Sequence, residues 1–331
     1  MEYYTLKSLI IKFLDKGRKQ GSYLLFVLLL SVTMSCSSED DLYSYTFDNG
    51  SYNCSYEKYM SLQPARVSQG SACYEDYFIQ GYHSNDCITI YNIKEKKCLS
   101  TIKITNPTPS KYTHVNTMNF GNQRYDSNDY FPLLYISSGY KTGGASHIYV
   151  YRLQKEKKGK TETFTISLVQ TISLHFDNWT EGIIDSESDI MWIKYGRDNQ
   201  NGYAQFKVPD VANGDVDIYY EECFDDFKLD RTPIGSRNQG HIYKDGKILL
   251  VTGVPSTYEV IAFISIDTVT KKRDIIINLA DIGLVNPQNP RDNAFEPEGI
   301  IIYNGQLMIC YQNAIYTFKI EKKDGKQENQ I

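Results

Sequence analysis

This chain lacks most of the short signatures that announce a chemistry. No Cys-x-x-Cys pair occurs, which removes the common zinc and dithiol arrangements. There is no Gly-x-Ser-x-Gly elbow, no His-Glu-x-x-His and no phosphate-binding loop, so those hydrolase, metalloprotease and nucleotidase classes are excluded. Tryptophan occurs twice and histidine five times in 331 residues. After the N-terminal segment no stretch keeps a long helical period, which argues against a helical fold. Positive charge is also short. Formal net charge is -5, and beyond residue 35 there are 30 basic against 38 acidic side chains. An acidic body without a basic patch repels phosphate backbones, so no nucleic acid is expected as a partner.

What the chain has is tyrosine, 28 copies, together with short β-branched runs punctuated by Gly, Asn, Asp and Lys. That composition favours strands. A short phrase recurs five times: a carboxamide or carboxylate, usually followed by Gly, then an apolar strand-like run. The copies are Gln69-Gly70, Asn116 within His114-Val115-Asn116, Glu181-Gly182, Gln239-Gly240 and Glu298-Gly299. Gly182, Gly240 and Gly299 are spaced by 58 and 59 residues. Repeats on this scale decide an architecture.

Each copy opens a set of strand signals. Third runs fall at Cys87–Ile93, His147–Leu153, Gly202–Val208, Glu259–Ile266 and Ala314–Ile320. Fourth runs fall at Leu99–Ile104, Thr163–Leu174, Asp215–Glu221 and Asp274–Leu279. The fifth set has no fourth run, because a polar tail begins at Glu321. An early run, Leu42–Phe47, is spare. The pattern predicts an all-β, five-bladed β-propeller over residues 42–320, closed by an N-terminal strand that removes the open edge. Residues 321–331 are read as a polar tail.

The N-terminus reads as an address. Lys16, Arg18 and Lys19 precede an apolar run, Tyr23–Met34, too short to span a bilayer. Small residues then lead to Cys36. Residues 1–35 are expected to be a signal peptide. Thr33-Met34-Ser35-Cys36 looks like a bacterial lipobox, with Thr33 in place of the usual Leu. That likeness implies lipidation, palmitate included, at Cys36, with residues 36–41 as anchor and acidic tether. Ser37-Ser38-Glu39-Asp40-Asp41 resembles the tag that sends some lipoproteins to the outer face of the outer membrane. The expectation is a lipid-anchored protein of the cell surface. Six further cysteines remain; Cys87 and Cys98 are not expected to pair, because Lys94–Lys97 makes the better turn between their strands.

In a propeller the first strand of each blade lines the central channel. The five repeated residues should therefore form a ring of Gln69, Asn116, Glu181, Gln239 and Glu298, with His114 on the same side. Their glycines would let the backbones approach closely. Two carboxylates among amide oxygens suit a hard cation, so Ca²⁺ or Mg²⁺ held by Glu181 and Glu298 is one expectation. Amides and carboxylates also hydrogen-bond sugar hydroxyls, with Trp179 or Trp192 stacking nearby, so a glycan or other small polar ligand is the other. Metal-dependent hydrolysis of a lactone, ester or glycoside by the same carboxylates, with Glu181 or Glu298 as base and His114 as proton shuttle, is the competing activity. His241 reads as a core histidine.

The openings His114-Val115-Asn116, Asn238-Gln239-Gly240 and Glu296-Pro297-Glu298-Gly299 resemble two related groups. These are the five-bladed propellers called teichoic-acid-biosynthesis-protein-C-like and the phage receptor-binding platforms related to them. There is a looser likeness to lactonase and strictosidine-synthase-type propellers, which implies a channel Ca²⁺ held by Glu, Asn and Asp. Those have six blades and a catalytic Asp with no counterpart here.

Overall fold

The computed structural model describes residues 47–63, 67–83, 87–104, 115–138, 144–159, 161–176, 179–197, 200–230, 237–286, 288–289 and 291–323. The leader, Cys36, the acidic tether and His114 lie outside these residues. Within Thr46–Ile331 the strands form five sheets, antiparallel but for one added edge strand, arranged as a five-bladed β-propeller.

The first described strand, β1 (Tyr52–Ser61), belongs to the last blade. The first blade is β2 (Ser68–Tyr74), β3 (Tyr77–Tyr82), β4 (Cys87–Asn92) and β5 (Lys97–Lys103), paired in that order. The second is β6 (Val115–Phe120), β7 (Leu134–Ser138), β8 (Ser146–Lys158) and β9 (Thr161–His175). The third begins with β10 (Thr180–Ile184), β11 (Ile190–Arg197) and β12 (Gln200–Lys207). The next run, β13 (Val216–Tyr219), leaves that blade, and the third is completed by β14 (Asp225–Asp230). The fourth blade is β15 (Asn238–Lys244), β16 (Lys247–Thr252), β17 (Ala262–Asp267) and β18 (Lys272–Asn278). The fifth is β19 (Pro297–Tyr303), β20 (Gln306–Tyr311) and β21 (Ala314–Lys322), completed by β1.

Two expectations are corrected. The closing strand is Tyr52–Ser61, not Leu42–Phe47. It pairs antiparallel with β21 from Tyr52↔Lys322 to Ser61↔Ala314. Leu42–Thr46 lie outside the described residues, and Phe47 precedes the turn Asp48–Gly50. That turn has its own function. Asp48 Oδ2 accepts from Ile276 N at 2.7 Å, and Asn49 bonds both N and O of Asn278 at 2.9 and 3.0 Å. Two side chains thus stand in for a strand along the outer edge of β18. The second correction concerns Asp215–Glu221. Its core, β13, pairs parallel with β9 and covers the edge of the second blade. Asp215 accepts from Thr171 N at 2.6 Å, and Gln170 Nε2 donates to Asp210 O and Gly214 O, which fixes the segment there. Both devices shield exposed strand edges.

Apolar residues alternate along each strand and pack between neighbouring sheets. Between the first two blades lie Ile79, Ile90, Met118, Phe131 and Tyr151; between the last two lie Val251, Phe263, Ile300 and Tyr311. Burying a side chain of this size stabilises by about 1.5–3 kcal/mol, so these wedges outweigh any single polar contact. The β8–β9 hairpin is the longest in the molecule because the insertion at Glu156–Glu162 extends it.

Candidate functional site

Four of the five repeated residues, Asn116, Glu181, Gln239 and Glu298, enter side-chain clusters; no such contact ties the Gln69 side chain to them. Each lies near the start of an innermost strand, so all share one end of the channel. In four blades the residue or its glycine coincides with a β-bulge: between Gln69 and Ser71, Val115 and Thr117, Asn238 and His241, and Pro297 and Gly299. A bulge leaves one residue unpaired and re-aims its side chain. The third blade keeps regular register, with Glu181 directly opposite Lys194.

The glycines are where the blades touch. A Cβ on Gly240 would lie 2.4 Å from Gly299 Cα; one on Gly299 would lie 2.0 Å from Ser71 Oγ; one on Gly70 would lie 3.1 Å from Asn116 O and Thr117 Cα. Below them Asn119 crosses the axis. Its Oδ1 accepts from Ile184 N and its Nδ2 donates to His241 O, both at 3.2 Å. This one side chain, 6% exposed, ties the second, third and fourth blades together.

The ring splits into two clusters. In the first, Asn116 Nδ2 donates to Glu181 Oε1, and Lys194 Nζ stands 3.6 Å from the same oxygen. Glu181 Oε2 faces His241 Nδ1 at 3.3 Å. That contact lacks hydrogen-bond alignment, and neither imidazole nitrogen has a well-aligned partner. Burial raises the Glu181 carboxyl, with Lys194 and the Asn116 hydrogen bond opposing it. Burial and the Lys194 charge hold His241 well below the usual imidazole range, so it is neutral. His241 is therefore not the satisfied core residue its sequence suggested. The bulge at Gln239-Gly240 turns it onto the axis.

In the second cluster, Gln239 Nε2 donates to Glu296 Oε1 at 2.9 Å. Gln312 Nε2 reaches both Glu296 Oε2 and Glu298 Oε1 at 3.3 Å. Ser68 Oγ donates to Gln312 O at 2.8 Å, joining the first blade to the last. Burial and the neighbouring Glu296 charge push Glu298 well above the carboxylate range. Burial pushes Glu296 to about 7, against the Gln239 hydrogen bond and the Arg237 charge. Both carboxyls are thus held above the ordinary range, with Gln312 bridging them. Gln69, the remaining ring member, is held differently, its carbonyl accepting from Gln80 Nε2 at 2.7 Å.

Sequence reasoning missed Lys194, Glu296 as a partner of Glu298, and Gln312. The one signal was the doubled acid in Glu296-Pro297-Glu298. Of the two tryptophans, Trp192 is 2% exposed and packs on Phe227, so it cannot stack on a ligand. Trp179 is 58% exposed at the ring end, immediately before Thr180 and Glu181. Among the described residues no group of three or more His, Cys, Asp or Glu side chains is arranged to hold a metal ion. At the opposite end of the channel lies a cavity of about 220 Å³ lined by Ser71, Met118, Asn119, Ile184, Tyr243 and Ile301.

No family model matches this chain, and no curated protein matches it. Solved structures do. Glutaminyl cyclase from Myxococcus xanthus is similar at 10% identity over 82% of this chain and 97% of its own, with a TM-score of 0.48. A tail fiber of Staphylococcus aureus phage P68 is similar at 11% identity, covering 86% of this chain and 56% of its own, TM-score 0.47. The PQQ-bound aldose sugar dehydrogenase of Streptomyces coelicolor is similar at 10% identity over 81% and 99%, TM-score 0.46.

Proposed function

We propose that this is a lipid-anchored propeller of the outer cell surface that binds a hydroxylated ligand, a glycan, at the ring end of its channel. One observation carries the reading. Amide and carboxyl side chains from the second to fifth blades gather at one end of the axis, and part of the hydrogen-bonding capacity there is unspent. Thr180 Oγ1 and Asn238 Oδ1 have no hydrogen-bond partner among the described residues, and Glu181 Oε2 and His241 have none in good alignment. Buried polar atoms left unpaired cost free energy, and a hydroxyl-rich ligand or water supplies what they lack. Trp179 offers an exposed aromatic face beside them. The test is a glycan array followed by titration calorimetry. Trp179→Ala and Gln239→Ala should each weaken binding of the captured glycan about tenfold or more, the loss of one stacking or hydrogen-bonding contact at a desolvated site. An array without signal sinks the reading.

A second reading, hydrolysis, is favoured by the Glu296–Glu298 pair, two buried carboxyls bridged by Gln312 and both raised above the ordinary range, as a general acid–base pair requires. Turnover of chromogenic esters or glycosides that Glu298→Gln abolishes would establish it. A Ca²⁺ or Mg²⁺ ion would draw its oxygens from Glu296 and Glu298 with the adjacent amides, because the charge of Glu181 is already met by Lys194. Elemental analysis of the purified protein, before and after EDTA, decides that point.

A further inference from the structure

We infer that Tyr258 and Arg291, on the rim above the Glu296–Glu298 pair, form a subsite for a carboxylated sugar. This rests on the glycan reading above and adds a ligand class to it. Tyr258 lies between β16 and β17, at the ring end, and is 66% exposed. Its backbone is left-handed (φ 59°, ψ 24°), uncommon for a bulky residue, and the turn Pro255–Thr257 ends on it. The Arg291 guanidinium carbon lies over its ring, 4.0 Å from the centroid. A guanidinium in cation–π contact with an aromatic ring is restrained, and its N–H groups can still grip a carboxylate with two hydrogen bonds.

Neighbouring charges leave those groups unspent. Among the described residues Arg291 has no carboxylate partner. The nearby Asp292 is occupied, accepting from Asn286 Nδ2 at 2.9 Å and Ala294 N at 3.0 Å. Arg237, the other rim guanidinium, is matched by Glu259 at 3.2 Å, and Arg237 N also donates to Glu259 at 2.8 Å. Among the described residues Arg291 therefore makes no ion pair, on a chain of net charge -5. The rim and the buried pair are electrically linked, since Arg237 and Glu259 both act on the Glu296 carboxyl. Beneath the rim, Gln239, Gln312 and the Glu296 and Glu298 carboxyls offer donors and acceptors together, the complement of sugar hydroxyls. A ligand with a carboxylate at one edge and hydroxyls on the rest satisfies both levels. A neutral sugar leaves Arg291 unused.

The experiment is calorimetry on the full chain in detergent at low salt, with three probes: glucuronate, its methyl ester and glucose. Glucuronate should bind about tenfold tighter than the other two, the gain of one charge-assisted pair. Arg291→Ala should erase that advantage and leave the neutral probes unchanged, Arg291→Lys should restore only part of it, and Tyr258→Ala should weaken all three. Both side chains are exposed, and near-ultraviolet circular dichroism checks that the variants stay folded. If the ester or glucose binds as tightly as glucuronate, or Arg291→Ala keeps the preference, the subsite is wrong while the glycan reading stands. If none of the three binds, the subsite is again overturned, and only a blank glycan array takes the broader reading with it.

Discussion

At the scale of single residues, the channel end is a place where protonation and folding are coupled. Glu296 and Glu298 both titrate above the ordinary carboxyl value of 4.5, Glu296 near 7. The folded state keeps protons that the unfolded chain releases. The stability they contribute is complete below about pH 4.5 and is lost as pH rises through the folded values. Urea unfolding from pH 4.5 to 8 should show the native protein losing stability relative to Glu298→Gln, by up to about 1.4 kcal/mol per pH unit for one proton. A difference that stays flat with pH would count against a raised Glu298 carboxyl. Asn119 gives a prediction of another kind. Asn119→Ala leaves Ile184 N and His241 O without their partners, and should cost about 1–3 kcal/mol in the same assay with no pH dependence. Gln69, Asn116, Glu181, Gln239 and Glu298 were legible because the chain writes them five times in one phrase. Lys194, His241 and Gln312 were not. Each occurs once, and what brings them to the axis is strand register and bulges, which a lone sequence does not print.

At the scale of elements, edges decide the design. The second blade is covered by β13, the fourth by Asp48 and Asn49, and the fifth by β1. Sequence patterning located the repeated strands well, since their alternation of apolar and polar residues follows directly from packing between two neighbouring sheets. It failed at the edges. Asp215–Glu221 has a strand's composition whichever blade it joins, and Asp48-Asn49-Gly50 reads only as a turn. Composition likewise could not separate Leu42–Phe47 from Tyr52–Ser61 as the closing strand. Deleting residues 47–61 should expose β21 and the outer edge of β18 together. Size-exclusion chromatography with light scattering should then find aggregates in place of a monodisperse species, because unpaired edges template further pairing. A monodisperse, fully folded deletion would show that β1 is dispensable.

At the scale of the whole molecule, the fivefold repeat made the propeller legible, whereas the proposed surface location rests on the expected signal sequence alone. Labelled palmitate should enter the full chain and be absent from Cys36→Ser, which should also leave the membrane fraction. The propeller has a further consequence for what it can hold. Its axis is blocked, by glycine backbones in contact and by Asn119 spanning three blades. It is a cul-de-sac and not a pore. Whatever reaches the floor must depart by the way it came, and a long polymer cannot be threaded. Such a polymer could offer the floor only a terminus or a short branch, so the length of its backbone would leave recognition unchanged.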